Sequence, residues 1–285
     1  MHVQFVATAC ASVVQCERIL AAMFGRRDGT LAKVPPYRRM MPFLMARKAE
    51  SAVLFEQTLD VSATLTWLAT HNQNPTTPGR ATLFHVVLHA FAHMLRERPH
   101  LNRFVAGKKI YDRRGVFMTF AAKKAMRDDA PIATVKREFP EAETFAELVA
   151  ALTTDISVAK SDAISRVDQE LTWFLKLPGP ILSLAIGLLG WLDRRGLAPR
   201  SLIGPDPMYT SVFLANLGSL GIDAAYHHLY EYGNCPLFVT LGAITPQQTV
   251  MLRYTYDERI EDGFYCARAL ELLQRLICDP QAWIK

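Results

Sequence analysis

The sequence predicts one α/β domain in which helices pack against a mixed sheet. Three observations carry that expectation. The chain has 285 residues, 50% of them apolar and 21% charged, enough to bury a full core in one large or two small domains. Runs of strand character alternate with runs of helical period, most regularly in the last third. No internal repeat or low-complexity tract interrupts that alternation. Residues 1–30 read as an N-terminal helical arm closed by Gly25-Arg26-Arg27-Asp28-Gly29, and residues 31–285 as the domain proper.

Taken in order, Pro35-Pro36 breaks the chain and residues 37–50 form a basic helix. Leu54–Val61 reads as a strand, and Ser62 is placed to cap a helix reaching His71. Residues 72–79 are an Asn-, Pro- and Thr-rich loop. Thr82–Arg98 is a strong helix stopped by Pro99. Short strands follow at 104–106, 109–111, 116–122 and 132–138. Helices are expected over 144–165 and 167–175. After Pro178-Gly179-Pro180, Ile181–Leu192 is the most apolar run of the chain. At about a dozen residues it falls short of the roughly 20 that span a bilayer. It reads as a buried helix, with a membrane-surface or partner-binding role as the other account. The remainder is read as 210–216, 223–230, 236–244, 249–256 and 264–277, with 223–230 taken as helical.

Composition removes several classes. A net charge of +5, dispersed and without zinc-finger spacing, does not argue for nucleic acid. Cysteines at 10, 16, 235, 266 and 278 are odd in number and widely spaced, against a disulfide framework or a metal knot. A reducing, cytoplasmic compartment follows from that usage. Val3–Phe24 is interrupted by Gln4, Gln15, Glu17 and Arg18 and reads as an amphipathic helix, not a signal peptide. No transmembrane segment is expected.

Residues 257–263 read Asp-Glu-Arg-Ile-Glu-Asp-Gly. The run resembles the Asp-His-Arg-x-x-Asp-Gly signature of the chloramphenicol acetyltransferase and dihydrolipoyl acyltransferase superfamily. Asp257, Arg259, Asp262 and Gly263 match, and Glu258 stands where the family has its histidine. Further segments match in order. Leu214–Asp223 is similar to a Ser-Asn-Leu-Gly-x-x-Gly-x-Asp run, Asn234-Cys235-Pro236 to an Asn-Pro-Pro turn, and Pro99–Asn102 to a Pro-x-Leu-Asn helix end. Arg38-Arg39-Met40 and Met45–Lys48 are similar to the family's leading segment, and Gly107–Ala122 to its hairpin. The resemblance covers about residues 35 to 280. It lacks the Asp-Lys-Ala lipoylation hairpin and the Ala/Pro-rich linker, so it is to the catalytic domain alone.

The resemblance implies a chloramphenicol acetyltransferase-like, trimer-forming fold with an active site between subunits. One chain supplies the base, and its neighbour supplies a hydroxyl that stabilises the oxyanion. Here the hydroxyl position is Ala215. Glu258 is either a base, a contact for a cationic substrate group, or a relic side chain that only packs or solvates. A carboxylate of pKa about 4.3 is a weaker base than imidazole unless burial raises it toward 6–7. Asn216, Ser219, Thr210, Ser211 or a backbone N–H are candidate replacement donors. Asp262 is implied to pair with Arg38 or Arg39 and order the loop, the alternative being a simple helix-start acid. Gly263 is expected to allow the tight turn.

Three clusters lie outside the motif. His85, His89 and His93 share a helix face, as a structural stripe or a metal site. The stripe is favoured and no metal is assigned. His227-His228 is placed on a helix or interface, or as a substituted proton acceptor. Lys108, Lys109, Arg113, Arg114, Lys123 and Lys124 gather at the hairpins, as a draw for coenzyme A phosphates or as solvated surface. The function expected is transfer of an acyl group from acyl-coenzyme A or another thioester through an altered site. No tightly bound cofactor is expected, and the thioester is the co-substrate. The alternative is a non-catalytic trimeric scaffold or ligand-binding paralogue.

Overall fold

The computed structural model describes residues 26, 28–74, 79–123, 132–160, 176 and 178–284. A six-stranded mixed sheet runs in the order β2-β9-β8-β7-β5-β6, from β2 (Ala52–Asp60), β5 (Phe117–Lys123), β6 (Ile132–Glu138), β7 (Val212–Asn216), β8 (Leu237–Leu241) and β9 (Thr249–Asp257). The β5–β7 and β7–β8 pairs are parallel and the rest antiparallel. A small antiparallel sheet, β1-β4-β3, joins Gly29–Leu31, Lys109–Arg113 and Phe104–Ala106.

Strand period 2 divides β9 cleanly. Val250, Leu252, Tyr254 and Tyr256 point to one face and are buried there. That face carries α3 (Leu83–Glu97) and α7 (Gly263–Cys278), with α2 (Ser62–His71) and α4 (Phe145–Lys160) beside them. Helix α3 is the core helix: Val86 to Leu88, Ala90 to Ala92, Met94 and Leu95 are all buried. Residues at i, i+1, i+4 and i+5 are sealed together because the sheet lies on one side and the flanking helices on the other.

Among the described residues no helix lies on the opposite face of the sheet. An extended strap, residues 222–236, crosses it and is tied by side chains. Arg253 donates to Ala224 O (2.6 Å), Thr240 to Ala225 O (2.6 Å) and Thr255 to His227 O. Lys48 Nζ donates to Tyr230 O (2.8 Å) and Gly233 O (3.0 Å). Under the strap, Phe213 stacks on Phe238, and His227 lies 3.8 Å from the Phe238 ring centroid. The helix expected over 223–230 is therefore absent. The carbonyls of Ala224, Ala225, His227, Tyr230 and Gly233 find donors on other elements, so the segment is held without an internal ladder.

Other boundaries shift for local reasons. The helix expected over 37–50 is α1 (Pro36–Leu44), because Glu50 accepts from Ala46 N and Arg47 N and folds the next residues into a turn. Ser62 does not cap α2; Asp60 Oδ1 accepts from Ser62 N at 2.9 Å instead. The expected 144–165 helix is described as α4, and 161–175 lies outside the described residues, as does the expected arm except Arg26 and 28–30. Those four residues pack into the domain through β1 and the Arg26–Asp193 pair at 2.7 Å.

The run expected to be a buried helix is α5 (Gly179–Arg194), and it is not buried. Ile181, Leu184, Ile186, Leu188 and Trp191 are all exposed, Leu184 to 73%. Its C-terminal end is anchored by Asp193 on Arg26 and by Gly107, where an added Cβ would run into Arg194 O. Short α6 (Arg200–Ile203) follows. Among the described residues no helix is long and apolar enough to cross a membrane.

The histidine stripe on α3 is used for packing and capping. His85 Nδ1 accepts from Thr82 N–H (3.2 Å) at the start of the helix. His89 stacks on Trp283, and His93 pairs with Glu97 at 2.8 Å. Burial pushes both His85 and His89 down to about 4. The unfolded chain takes up these protons from about pH 6.5, so acidification between about pH 6.5 and 4 favours unfolding, by roughly 3 kcal/mol for His85 alone. Thermal unfolding should show a Tm that falls steeply across this window. His89→Phe keeps the stack on Trp283 and should make the fall shallower.

Candidate active site

The 257–263 loop begins where β9 leaves the sheet. Asp257 is 1% exposed, and its carboxylate accepts from Arg259 Nε and Nη2 (both 2.7 Å), from Arg259 N (3.1 Å) and from Ser51 Oγ (2.9 Å). A bidentate pair only two residues apart turns the chain back on itself. Arg259 Nη1 then reaches Met45 O (3.2 Å), tying the turn to the segment after α1. Glu258 N donates to Ser51 O (2.9 Å), and Ile260 is buried beneath. Between these anchors the Glu258 side chain is exposed.

Arg38, 4% exposed on α1, is the second clamp. It donates to Glu258 O (3.0 Å), Glu261 Oε1 (3.3 Å) and Asp262 Oδ2 (3.4 Å). Arg39, the other expected partner of Asp262, is exposed. Successive helix residues lie about 100° apart, so only one of the pair can face the loop. Asp262 also caps α7, its Oδ1 accepting from Tyr265 N at 2.9 Å. The ion pair and the helix-start role thus coexist in one carboxylate.

Glu261 was not singled out by sequence reasoning. It occupies a free position of the motif, yet it is the hub of the loop: Arg38 and Arg103 (2.8 Å) both pair with it. His100 Nδ1 stands 2.8 Å from Glu261 Oε2, off hydrogen-bond alignment. Arg103 lies 158 residues away in sequence, so no local spacing announces the contact.

Gly263 does not serve the turn as expected. Its φ is not positive, and an added Cβ would meet nothing within 4 Å. The turn is made by Asp262, at φ −86° and ψ 169°, and Gly263 is already the first helical residue.

The other half of the expected site lies elsewhere on the sheet. Ala215 pairs with Thr240, and Thr240 with Arg253, so Ala215 sits level with a residue five positions before Glu258. At strand rise that is about 17 Å along the sheet. One chain therefore does not bring Glu258 together with Ala215, Asn216 or Ser219. Asn216 Oδ1 accepts from Ser219 N (3.1 Å), and Ser219 Oγ donates back to Asn216 O (2.7 Å), closing a turn at the end of β7. Thr210 and Ser211 are fully buried: Thr210 Oγ1 donates to Phe117 O and Ser211 Oγ accepts from Phe117 N, so neither hydroxyl faces an open site.

The hairpin cations divide. Lys108, Lys109 and Arg114 are exposed. Arg113 is neither phosphate ligand nor solvated surface: it lies over the Phe104 ring (4.5 Å) and donates to Asn234 O and Oδ1. Burial pushes it down to about 10, which leaves it protonated at neutral pH. The side chain of Lys123 and all of Lys124 lie outside the described residues. His227 and His228 sit in the strap, on Phe238 and Tyr230. Cys235 and Cys266 are buried thiols, and burial pushes Cys266 up to about 12, away from the reactive thiolate.

No protein-family model matches the sequence, and no curated protein matches it. Solved structures do. A catalytic core of the 2-oxoacid dehydrogenase complex from Thermoplasma acidophilum superposes with a TM-score of 0.56 at 13% identity, covering 88% of this chain and 98% of that one. A probable dihydrolipoamide acetyltransferase from Listeria monocytogenes gives 0.55 at 12% identity, over 86% and 93%. A chloramphenicol acetyltransferase gives 0.53 at 11% identity, over 90% and all of that chain. The chain has the chloramphenicol acetyltransferase-like fold.

At these identities what transfers is the acyltransferase-like architecture. Within it, the loop bearing Glu258 is fixed from three directions: by Arg259 from inside the turn, by Arg38 from α1, and by Arg103 through Glu261. Asp257→Ala leaves the Arg259 guanidinium buried and unpaired and should cost about 3–5 kcal/mol in denaturant unfolding. Gly263→Ala, at an unstrained and open helical position, should be neutral or stabilising by about 0.4–1 kcal/mol in the same assay.

Proposed function

We propose that this protein is an acyltransferase that uses acyl-coenzyme A or a related thioester, with Glu258 as base and the active site assembled between copies of the chain. The observation that carries the reading is the locked loop with a free carboxylate. Every polar neighbour of Glu258 in the motif is engaged in holding the loop, while the Glu258 side chain projects exposed from it. The 17 Å offset between Glu258 and the Ala215–Ser219 turn, about five strand residues, makes a single chain incomplete for this chemistry. A homotrimer, as the family resemblance implies, supplies the missing turn from a neighbour.

In this scheme a partner chain covers Glu258 and excludes water from its carboxylate. The carboxylate accepts the proton of an acceptor thiol or hydroxyl as the sulfur or oxygen attacks the thioester carbon. The tetrahedral oxyanion is met by a backbone N–H or the Asn216 amide of the neighbouring turn. Collapse breaks the carbon–sulfur bond, and the proton on Glu258 passes to the departing coenzyme A thiolate. The exposed cations Lys108, Lys109 and Arg114 give a local positive field for a phosphorylated donor.

One observation favours a second reading, a trimeric protein that binds a thioester without turnover. Ala215 offers no hydroxyl, Thr210, Ser219 and Thr240 spend theirs on backbone carbonyls, and Ser211 is fully buried. A lost oxyanion donor is worth about 10²–10³ in rate.

A thermal-shift titration with coenzyme A and acyl-coenzyme A of increasing chain length, followed by turnover assays, separates the two. A ligand at about 100 times its Kd adds roughly 2.7 kcal/mol to stability. Catalysis predicts that Glu258→Gln keeps this shift and loses about 10²–10⁴ in kcat. A shift without turnover in the parent protein favours the binder, and no shift with any donor on a trimeric sample sinks both.

A further inference from the structure

Helix α5 presents two apolar stripes. Leu182, Ala185, Leu189 and Leu192 are half-buried, and Ile181, Leu184, Leu188 and Trp191 are exposed. Both follow the i, i+3, i+7, i+10 spacing of one helix face. An outward face of a water-exposed helix is ordinarily polar. Here it is as apolar as the half-buried one, and it leaves on the order of 400 Å² of side chain bare on one face, beyond what scattered surface leucines explain.

The rim of this stripe is cationic. Arg194 and Arg195 are exposed at its C-terminal end, and the Arg195 guanidinium stacks on the Trp191 ring at 5.3 Å. Gly107 abuts Arg194 O, which brings the β3–β4 turn with exposed Lys108 and Lys109 to the same end. Lys108 in turn lies 4.9 Å over Phe43, which is exposed on α1 beside exposed Leu44. The one carboxylate on α5, Asp193, is buried against Arg26 and does not offset the rim.

We propose that α5 lies in the surface of a lipid bilayer containing anionic headgroups, with Ile181, Leu184 and Leu188 in the acyl boundary and Lys108, Lys109, Arg194 and Arg195 at headgroup level. Three features select lipid over a second copy of the chain. Among the described residues the patch offers no exposed carboxylate for its own cations, so a self-complementary contact would place like charges together. Tryptophan beside arginine at one end of an apolar helix is the arrangement of membrane-interface anchors. At 16 residues, about 24 Å, the helix is too short to span and long enough to lie in one leaflet. The inference does not depend on acyl transfer.

Co-sedimentation of the purified full chain with vesicles tests it. Vesicles of phosphatidylcholine with about 30 mol % phosphatidylserine should retain the protein, and raising salt should weaken retention. The double variant Leu184→Glu, Leu188→Glu alters only exposed positions, so its circular dichroism and Tm should match the parent. Its partition coefficient should drop at least about tenfold. Tryptophan emission should shift to the blue on vesicle addition, and Trp191→Phe should abolish most of that shift. Failure of the parent to bind these vesicles overturns the proposal. So does equal binding by the folded double variant. If the variant instead turns an oligomer into monomers by light scattering while the parent ignores lipid, the stripe belongs to a second copy and the proposal falls.

Discussion

The pairing of β9 on both of its edges is the constraint from which the rest of the molecule follows. Its nine residues are matched one-for-one by β2, and five of them by β8. Register is therefore fixed, and a slip by one residue would send Tyr254 and Tyr256 to the strap face and Arg253 and Thr255 into the core. With register fixed, two surfaces are determined together. One is a floor of buried tyrosine and aliphatic side chains on which α3 and α7 rest. The other is a row of donors that guides the strap. The same strand delivers Asp257 to the point where the buried pair with Arg259 reverses the chain.

The acyltransferase reading and the altered residues are reconciled by where the structure places its rigidity. Arg38, Arg103, Glu261 and Asp257 define a backbone path, and the residue carried at its crest is not among the groups that hold it. Such a loop can exchange histidine for glutamate without refolding. At the far end of the sheet, the Asn216–Ser219 turn is likewise closed by its own hydrogen bonds and leaves Ala215 uninvolved. Identity at the two variable positions is thus separated from the geometry that presents them.

Much of this was legible in the sequence. The strands at β2, β7, β8 and β9 and helices α3 and α7 declare themselves by periodicity, and the Asp-x-Arg-x-x-Asp-Gly spacing locates the loop. What sequence could not show was decided by contacts made across long separations. Glu261 looks like a filler position until Arg103 and Arg38 arrive from other elements. Arg113 looks like one more surface cation until Phe104 and Asn234 enclose it. The 223–230 segment has helix-compatible composition, yet side chains from β8, β9 and the Lys48 turn supply its partners first. The apolar run at Ile181–Leu192 was read as buried because hydrophobicity reports a preference for leaving water, not what provides the shelter.

The strap has a consequence for how this surface can change over time. Its path is written in the side chains of other elements, Lys48, Thr240, Arg253 and Thr255, all of which grip its carbonyl oxygens. Carbonyls are common to every residue type. The exposed side chains of His228 and Tyr230 are not among the groups that hold this path, whereas Tyr226 is tied to Glu56 and Arg253. Positions such as His228 and Tyr230 can therefore be rewritten, acquiring new chemistry on the open side of the sheet, while the rail the strap runs along stays where it is.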